Sequence, residues 1–196
     1  MKRILWVVLL ATLALPLAAF ADNSIDFTNS GGTLSGDSSG LTLSNSALIA
    51  INGINGLQTG SNLGTLSFST GALISGDLQM GATFAPGSSF TITSNSLGTL
   101  FSGSFDGPVT WSLVTLANGT HNYTLSGTIS GAWEGKGTVY GATLQLTINT
   151  GVGFFNGSTS ISSGDTNIVV PEPSSLTLIG TGLVGLAGIL RKKLKA

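Results

Sequence analysis

Side chains that could carry out nucleophilic catalysis are few in this chain of 196 residues. His121 is the only histidine, so a hydrolase that activates a serine through a histidine base would have to use it. It comes shortly after an Asn-Gly pair, at the end of a predicted hairpin, where we expect an exposed histidine without a catalytic role. The chain has no cysteine, which excludes disulfides, thiolate catalysis and cysteine metal sites.

The acidic residues are scattered and form no recognisable catalytic or metal-binding pattern. From residue 22 to residue 170 the chain carries seven acids and one lysine, a formal charge of −6. That charge argues against nucleic acid as a partner, because phosphates are neutralised by several Lys or Arg on one face. We therefore expect no enzyme, no cofactor and no metal. The seven acids are Asp22, Asp26, Asp37, Asp77, Asp106, Glu134 and Asp165.

Two tryptophans, Trp111 and Trp133, leave a binding function open. An exposed indole could stack on a sugar ring, whereas an aromatic residue in a strand more often packs in a core. A secreted polysaccharide-active enzyme and a carbohydrate-binding module, each with an unrecognised site, are therefore the two alternatives to a surface or matrix protein without enzymatic activity.

The segment from residue 22 to residue 169 has the period-two pattern of strands rather than the 3.6-residue period of helices. Four runs show it: Leu78 to Phe84, Phe90 to Ile92, Phe101 to Phe105 before an Asp-Gly-Pro turn, and Tyr140 to Ile148. Gly, Asn, Asp and Ser separate the runs. The pattern predicts an all-β body, built as an antiparallel β-sandwich, barrel or rolled sheet.

An Asn-Gly pair at positions 118 and 119 predicts the clearest hairpin, with a two-residue type I′ turn. With that loop Val114 faces Tyr123, and the apolar alternation shifts by one residue. A β-bulge at Leu113–Val114 would correct the shift and set Trp111 opposite Leu125. A further turn is predicted over residues 134–137, between two strands.

The N-terminal residues have the three parts of a secretory signal peptide. Two basic residues, Lys2 and Arg3, precede an apolar stretch that we expect to be helical and that Pro16 ends. Ala19 and Ala21 then fit the small-x-small pattern read by signal peptidase, which would make Asp22 the first residue of the mature chain.

The C-terminal residues have the pattern of a single transmembrane helix with a basic end. An uncharged apolar segment, 176–190, follows Ser174 and Ser175, which are plausible helix caps. A helix over residues 174–190 is about 26 Å long, just enough for the apolar core of a bilayer when the basic side chains reach the interface. The basic end should stay cytoplasmic and leave the body outside; it consists of Arg191, Lys192, Lys193 and Lys195.

The tripeptide Pro171-Glu172-Pro173, followed by the apolar helix and the basic end, resembles the PEP-CTERM protein-sorting tail. The resemblance covers only the residues from Val170 onward. It implies that an exosortase, a membrane-embedded transpeptidase-like enzyme, cleaves near the tripeptide. It also implies that the chain passes through the inner membrane to the cell surface or an extracellular matrix, often one rich in exopolysaccharide.

Together the patterns divide the chain into three parts: a signal peptide (1–21), a β-rich extracytoplasmic body (22–169) and a sorting tail (170–196). The predicted function is that of an exported cell-surface or exopolysaccharide-matrix protein with a non-enzymatic body.

Overall fold

The computed structural model describes residues 24–170, apart from Asn55 and Ser88. In these residues the secondary structure consists of fourteen β-strands and no helix. The predicted signal helix and the predicted transmembrane helix lie outside the described residues. Within them, no helix is long and apolar enough to cross a membrane. The strands are β1 (Ser24–Ser30), β2 (Thr33–Asp37), β3 (Gly40–Asn52), β4 (Gln58–Thr59), β5 (Gly64–Ser69), β6 (Leu73–Asp77), β7 (Gly81–Phe84), β8 (Ser89–Ser94), β9 (Gly98–Phe105), β10 (Val109–Thr115), β11 (His121–Trp133), β12 (Gly137–Asn149), β13 (Ser158–Thr159) and β14 (Ser163–Val169).

Eight of the strands close into an antiparallel barrel. Their order around the ring is β12-β14-β1-β3-β5-β8-β9-β11, and β11 pairs with β12 to complete it. All eight pairings are antiparallel, and the closing pair β11–β12 joins two strands of thirteen residues each. The all-β prediction is confirmed, and the barrel is the architecture found among the three that the sequence left open.

The remaining strands branch from two long members of the ring, each of which changes partner along its length. The second half of β11 pairs with β9, whereas its first half pairs with β10, which leads on to β7 and β6. The first half of β3 pairs with β2 and through it with β13, whereas its second half pairs with β1. β4 pairs with the other edge of β3. The branches extend the sheet beyond the closed ring.

Alternating burial along the strands explains why this sequence folds this way. In β1 the residues Ile25 and Phe27 are buried, and the polar residues beside them point outward. The same alternation in β5 and β8 buries Phe68 and Phe90, whose rings stack with centroids 6.0 Å apart. Burial of such apolar area is the main stabilising contribution to folding. The core is therefore built from one apolar face of each strand.

The hairpin β10–β11 differs from its prediction in the loop. Gly119 N–H donates to the Leu116 carbonyl at 2.9 Å, and Gly119 has a φ of +81°. Leu116 N–H donates to the Thr120 carbonyl at 2.8 Å, so the loop has three residues rather than two. These features match a type I turn that ends in a left-handed glycine.

The register of this hairpin follows from the longer loop. Trp111 lies opposite Leu125 as predicted, but Leu113, not Val114, faces Tyr123. The predicted β-bulge at Leu113–Val114 is wrong, because the additional residue is accommodated in the loop. Val114 therefore points outward and is exposed.

Of two other predicted segments, the first differs from its prediction and the second is confirmed. The run from Leu78 to Phe84 is only half a strand: residues 78–80 form the β6–β7 turn, and Met80 is exposed. Asp77 organises that turn by accepting hydrogen bonds from the N–H groups of Gln79 and Met80. The turn predicted between β11 and β12 is confirmed over residues 134–136.

Two glycines face each other where β9 pairs with β11 within the ring. Gly103 and Gly131 are paired, and the backbones approach closely. A Cβ atom on Gly131 would lie 2.5 Å from the Cα of Gly103, closer than carbon atoms can approach without displacement. Only glycine fits at these two positions without moving a strand.

We expect Gly131→Ala to destabilise the chain by about 1–3 kcal/mol, the usual cost of forcing an additional carbon into a packed site. Chemical denaturation of the full chain in detergent, followed by tryptophan fluorescence, measures the change. Gly137→Ala is the matched control, because a Cβ at Gly137 meets no atom within 4 Å. Equal stability of the two variants would contradict the steric argument.

Candidate functional site

The two ends of the body leave the barrel side by side. Ser24, the first residue of β1, is paired with Val169, the last residue of β14. β14 lies within the ring, between β12 and β1, so the final strand of the body completes the barrel. The predicted signal cleavage residues Ala19 and Ala21 lie outside the described residues. So do the predicted sorting tripeptide Pro171, Glu172 and Pro173 and the basic end at Arg191, Lys192, Lys193 and Lys195.

His121 is buried, and the prediction of an exposed hairpin histidine is wrong. Its ring stacks on Phe154 with centroids 4.2 Å apart, and its Nδ1 lies 3.0 Å from Thr115 Oγ1. Two backbone hydrogen bonds also tie His121 to the loop after β12, with Gly151 and Thr150. The loop after β12 therefore buries His121, which strand periodicity alone places at the exposed edge of a hairpin. The hydrogen-bond partner of the imidazole is a threonine.

Trp111 and Trp133 are both buried, at 1 % and 7 % exposure, so neither indole can stack on a sugar. Trp111 stacks on Tyr123 at a centroid distance of 4.7 Å, and its Nε1 donates to the Leu78 carbonyl at 2.9 Å. Trp133 packs against Phe27. A carbohydrate site at these two residues is therefore ruled out by their packing.

Most of the acidic residues serve local structure. Asp37 accepts hydrogen bonds from the N–H and hydroxyl of Ser39, and these bonds lower its pKa below the usual 3.8. Asp106 accepts a hydrogen bond from the hydroxyl of Ser130, and Glu134 pairs with Lys136. Asp22 lies outside the described residues.

Two acids, Asp26 and Asp165, come together although they are far apart in the sequence. Asp26 is paired with Asn167, and Asp165 with Thr28, so the two carboxylates lie on neighbouring strands and on the same outward face. Asn167 donates a hydrogen bond to Asp26. The pKa of Asp165 is raised above 3.8, chiefly by partial burial and secondly by the charge of Asp26.

The raised pKa predicts a pH-dependent effect of Asp165→Asn. Between pH 3.8 and the raised value the folded chain binds more protons than the unfolded chain, so the contribution of Asp165 to stability falls as pH rises. Asp165→Asn should therefore raise Tm at pH 7, on the order of 1 °C because the group is exposed and its charge is screened by solvent, and change it little at pH 3. Thermal melts of the full chain at the two pH values measure this. Asp37→Asn is the control, since its lowered pKa predicts a decrease at pH 7; a decrease for both variants would contradict the argument.

A row of polar side chains crosses five neighbouring strands of the barrel, and we call it the polar strip. Consecutive members are direct cross-strand partners, and all of them are exposed or half-buried. The five strands are consecutive members of the eight-strand ring, so the row follows the curve of the barrel over about half of its circumference. A parallel row on four of the same strands carries Ser126, Gln145, Asp165 and Thr28. The polar strip consists of Thr128 (β11), Thr143 (β12), Asn167 (β14), Asp26 (β1) and Asn52 (β3).

Tyr140 lies beside one end of the polar strip, and the sequence pattern placed it wrongly with the inward-facing residues of β12. The pairing of β11 and β12 shifts by one residue here, so that Tyr140 and Gly141 together face Ser130. Gly141 has a φ of +68°, as expected of a β-bulge. Val139 and Ala142 are buried, whereas Tyr140 is 79 % exposed. The glycine directly after the tyrosine was the only signal in the sequence.

Comparison with known proteins identifies one element. Residues 169–192 match the PEP-CTERM protein-sorting motif. No curated protein and no solved structure matches the chain. The matched segment starts at the last residue of β14, a strand within the closed ring. The tail of this chain is a PEP-CTERM sorting motif.

Proposed function

We propose that the chain is an exported protein of the cell surface or exopolysaccharide matrix, sorted by an exosortase, with a body that is not an enzyme. The observation that carries the proposal is the sorting motif over residues 169–192. A motif of this kind suggests passage through the inner membrane, processing by an exosortase and delivery outside the cell. Signal peptidase acts first, at the pattern that ends in Ala21.

The charge distribution supports this route. Four basic residues at the C-terminus favour a cytoplasmic position, and the acidic body carries a single lysine. The N-terminal signal pattern and the C-terminal basic end predict the same orientation, with the body outside.

The body supports a structural or binding role. Its outward strand positions are mostly Ser, Thr, Asn and Gln, so the surface is well hydrated without being highly charged. His121 packs between a threonine and a phenylalanine. This arrangement supports a packing role for the imidazole rather than the activation of a serine nucleophile.

Cell fractionation of the host with and without its exosortase tests the proposal. In the intact host we expect the body at the surface or in the matrix, in a form shortened at its C-terminus. In the host without the enzyme we expect the full tail, retained in the membrane fraction. Cytoplasmic protein, or shortening that does not depend on the enzyme, would refute the proposal.

The alternative is a polysaccharide-active enzyme, and one observation favours it. Asp26 and Asp165 lie on one face, and partial burial together with the charge of Asp26 raises the pKa of Asp165; glycosidases use two carboxyl groups, one of which has a raised pKa. Turnover of the host polysaccharide that is lost in Asp26→Asn and Asp165→Asn, with folding intact, would establish the enzyme. Binding without turnover supports the main proposal.

A further inference from the structure

We propose that strand β14 sets the inner limit of processing, so that the exosortase cuts a folded body, and cuts it only after Val170. The inference rests on the proposed function and deepens it, because it assigns the part of the chain that the enzyme can reach. The cut breaks one peptide C–N bond: the acyl side stays with the body and passes to water or to an amine acceptor, and the tail leaves with the new amino group. The released body is then the complete barrel.

The first argument is that the backbone of β14 is paired on both edges. Every residue from Gly164 to Val169 has a partner on β1, and every residue from Ser163 to Asn167 has a partner on β12. An enzyme that holds its substrate as an extended segment bonds to free backbone N–H and C=O groups along that segment. Within β14 these groups become free only when the strand leaves the barrel, so a cut there depends on local opening of the fold.

The second argument is that side chains hold the end of β14 in the core. Ile168 is fully buried and is the cross-strand partner of Ile25, which is also buried. Val170, the residue after the strand, is half-buried and packs against the core. Between them Val169 points outward and is 55 % exposed. Release of the strand end would expose two apolar side chains to water, which is unfavourable, so the segment held by the barrel ends at Val170.

The third argument is the residue type that follows this segment. The compact part of the body runs from Ser24 to Val170, and Pro171 is the next residue in the sequence. Proline has no backbone N–H and cannot donate a hydrogen bond to a neighbouring strand, so it is unsuited to continue a strand inside a sheet. The sorting tripeptide therefore begins at the first residue after the part of the chain that the barrel protects.

A cut inside β14 would open the ring. The strand connects β12 to β1, and Thr166 at its centre lies between the buried residues Phe27 and Leu144. Loss of the strand would leave two unpaired strand edges and an exposed apolar patch, both of which promote aggregation. A cut after Val170 changes no pairing of the ring, so the same fold exists before and after processing.

Mass spectrometry of the body purified from the intact host identifies its C-terminal residue and tests the proposal. We expect every product that depends on the exosortase to contain Val170. A product that depends on the exosortase but ends at or before Val169 would overturn the inference and leave the sorting route intact. Unprocessed chain in the intact host, or the same processing without the exosortase, would refute the proposed function and the inference with it.

Digestion of the full chain in detergent by a nonspecific protease tests the protection of β14 without the exosortase. We expect a resistant fragment that contains Val170. Ile168→Ala should raise the rate of cleavage within β14 at least about tenfold, because truncation of a buried side chain favours opening of the strand.

Val169→Ala is the matched control for this digestion, because it shortens the adjacent, exposed side chain. It should change the rate of cleavage within β14 by less than about twofold. Tryptophan fluorescence verifies that both variants are folded. Equal rates in the two variants, or cleavage within β14 of the unmodified chain as fast as cleavage of the tail, would contradict the protection.

Discussion

A chain in which Pro171, Glu172 and Pro173 are all replaced by alanine is expected to keep its C-terminal tail and to accumulate in the membrane fraction. We expect the shortened form to fall to the background seen in a host without the exosortase. Immunoblotting of membrane, surface and medium fractions, with an epitope in the body, measures both quantities. The loss should be nearly complete, because the tripeptide is the part of the tail that distinguishes it from an ordinary membrane anchor.

The physical reason lies in the backbone and charge of the tripeptide. Each proline fixes φ near −65° and lacks an N–H, so the sequence predicts an extended segment that does not join the apolar helix predicted to follow. Glu172 is the only acidic residue after Asp165, which makes it a distinct charge between the barrel and the basic end. Alanine has the highest helix propensity, so the triple variant allows the predicted helix to extend toward the barrel. The substitution therefore removes both the shape and the charge that an enzyme could recognise.

Ser174→Ala/Ser175→Ala is the matched control, since it changes the adjacent residues and leaves the tripeptide intact. It should be processed as the unmodified chain is. Export must be unaffected in both variants, because the predicted signal peptide is unchanged. Normal shortening of the triple variant would mean that processing reads some other part of the tail, and it would contradict the role given to the tripeptide.

The sorting tail was predictable because the residues that define it are consecutive in the sequence. Pro171-Glu172-Pro173, the apolar segment and the basic end stand in a fixed order, and the match over residues 169–192 confirms the resemblance. The all-β class was predictable for a similar reason, since alternation along a strand such as β8 is local. The closing of the ring was not predictable, because it depends on pairs such as Ser24 with Val169, at opposite ends of the body.

Two of the errors at individual residues have the same cause, which is that a single additional residue reverses every side chain beyond it. At Gly119 the additional residue lies in the loop, so the predicted bulge in β10 was unnecessary. At Tyr140 it lies inside β12, so a residue counted with the core points to solvent. His121 was misjudged because the loop that covers it comes from a segment about thirty residues later. The exposed position of Tyr140 depends on one of these reversals, and the sequence alone could not place it.

Phe90→Ala is expected to be the most destabilising single substitution in the barrel core, at about 3–5 kcal/mol. The Phe90 side chain is fully buried. Its ring stacks on Phe68 at 6.0 Å and makes edge contacts with Phe101 and Phe105, both at 5.9 Å between centroids. Its truncation removes a large apolar area and three aromatic contacts at once, and it leaves a cavity that the surrounding strands fill only in part. Denaturation of the full chain in detergent, followed by tryptophan fluorescence, gives the change in free energy of unfolding.

The size of this effect follows from the position of Phe90 in the ring as well as from its area. β8 joins β5 to β9, and the four phenylalanines of the cluster come from these three strands, so one cavity weakens two pairings of the closed barrel. Since domains of this size are stable by about 5–15 kcal/mol, the loss is a large fraction of the total. Phe90→Leu should cost much less, because it keeps most of the volume. Ile74→Ala, at a position 58 % exposed, should be almost neutral. If Phe90→Ala unfolds at the same denaturant concentration as Ile74→Ala, the cluster does not hold the barrel closed, and the stability must come from the long β11–β12 pair instead.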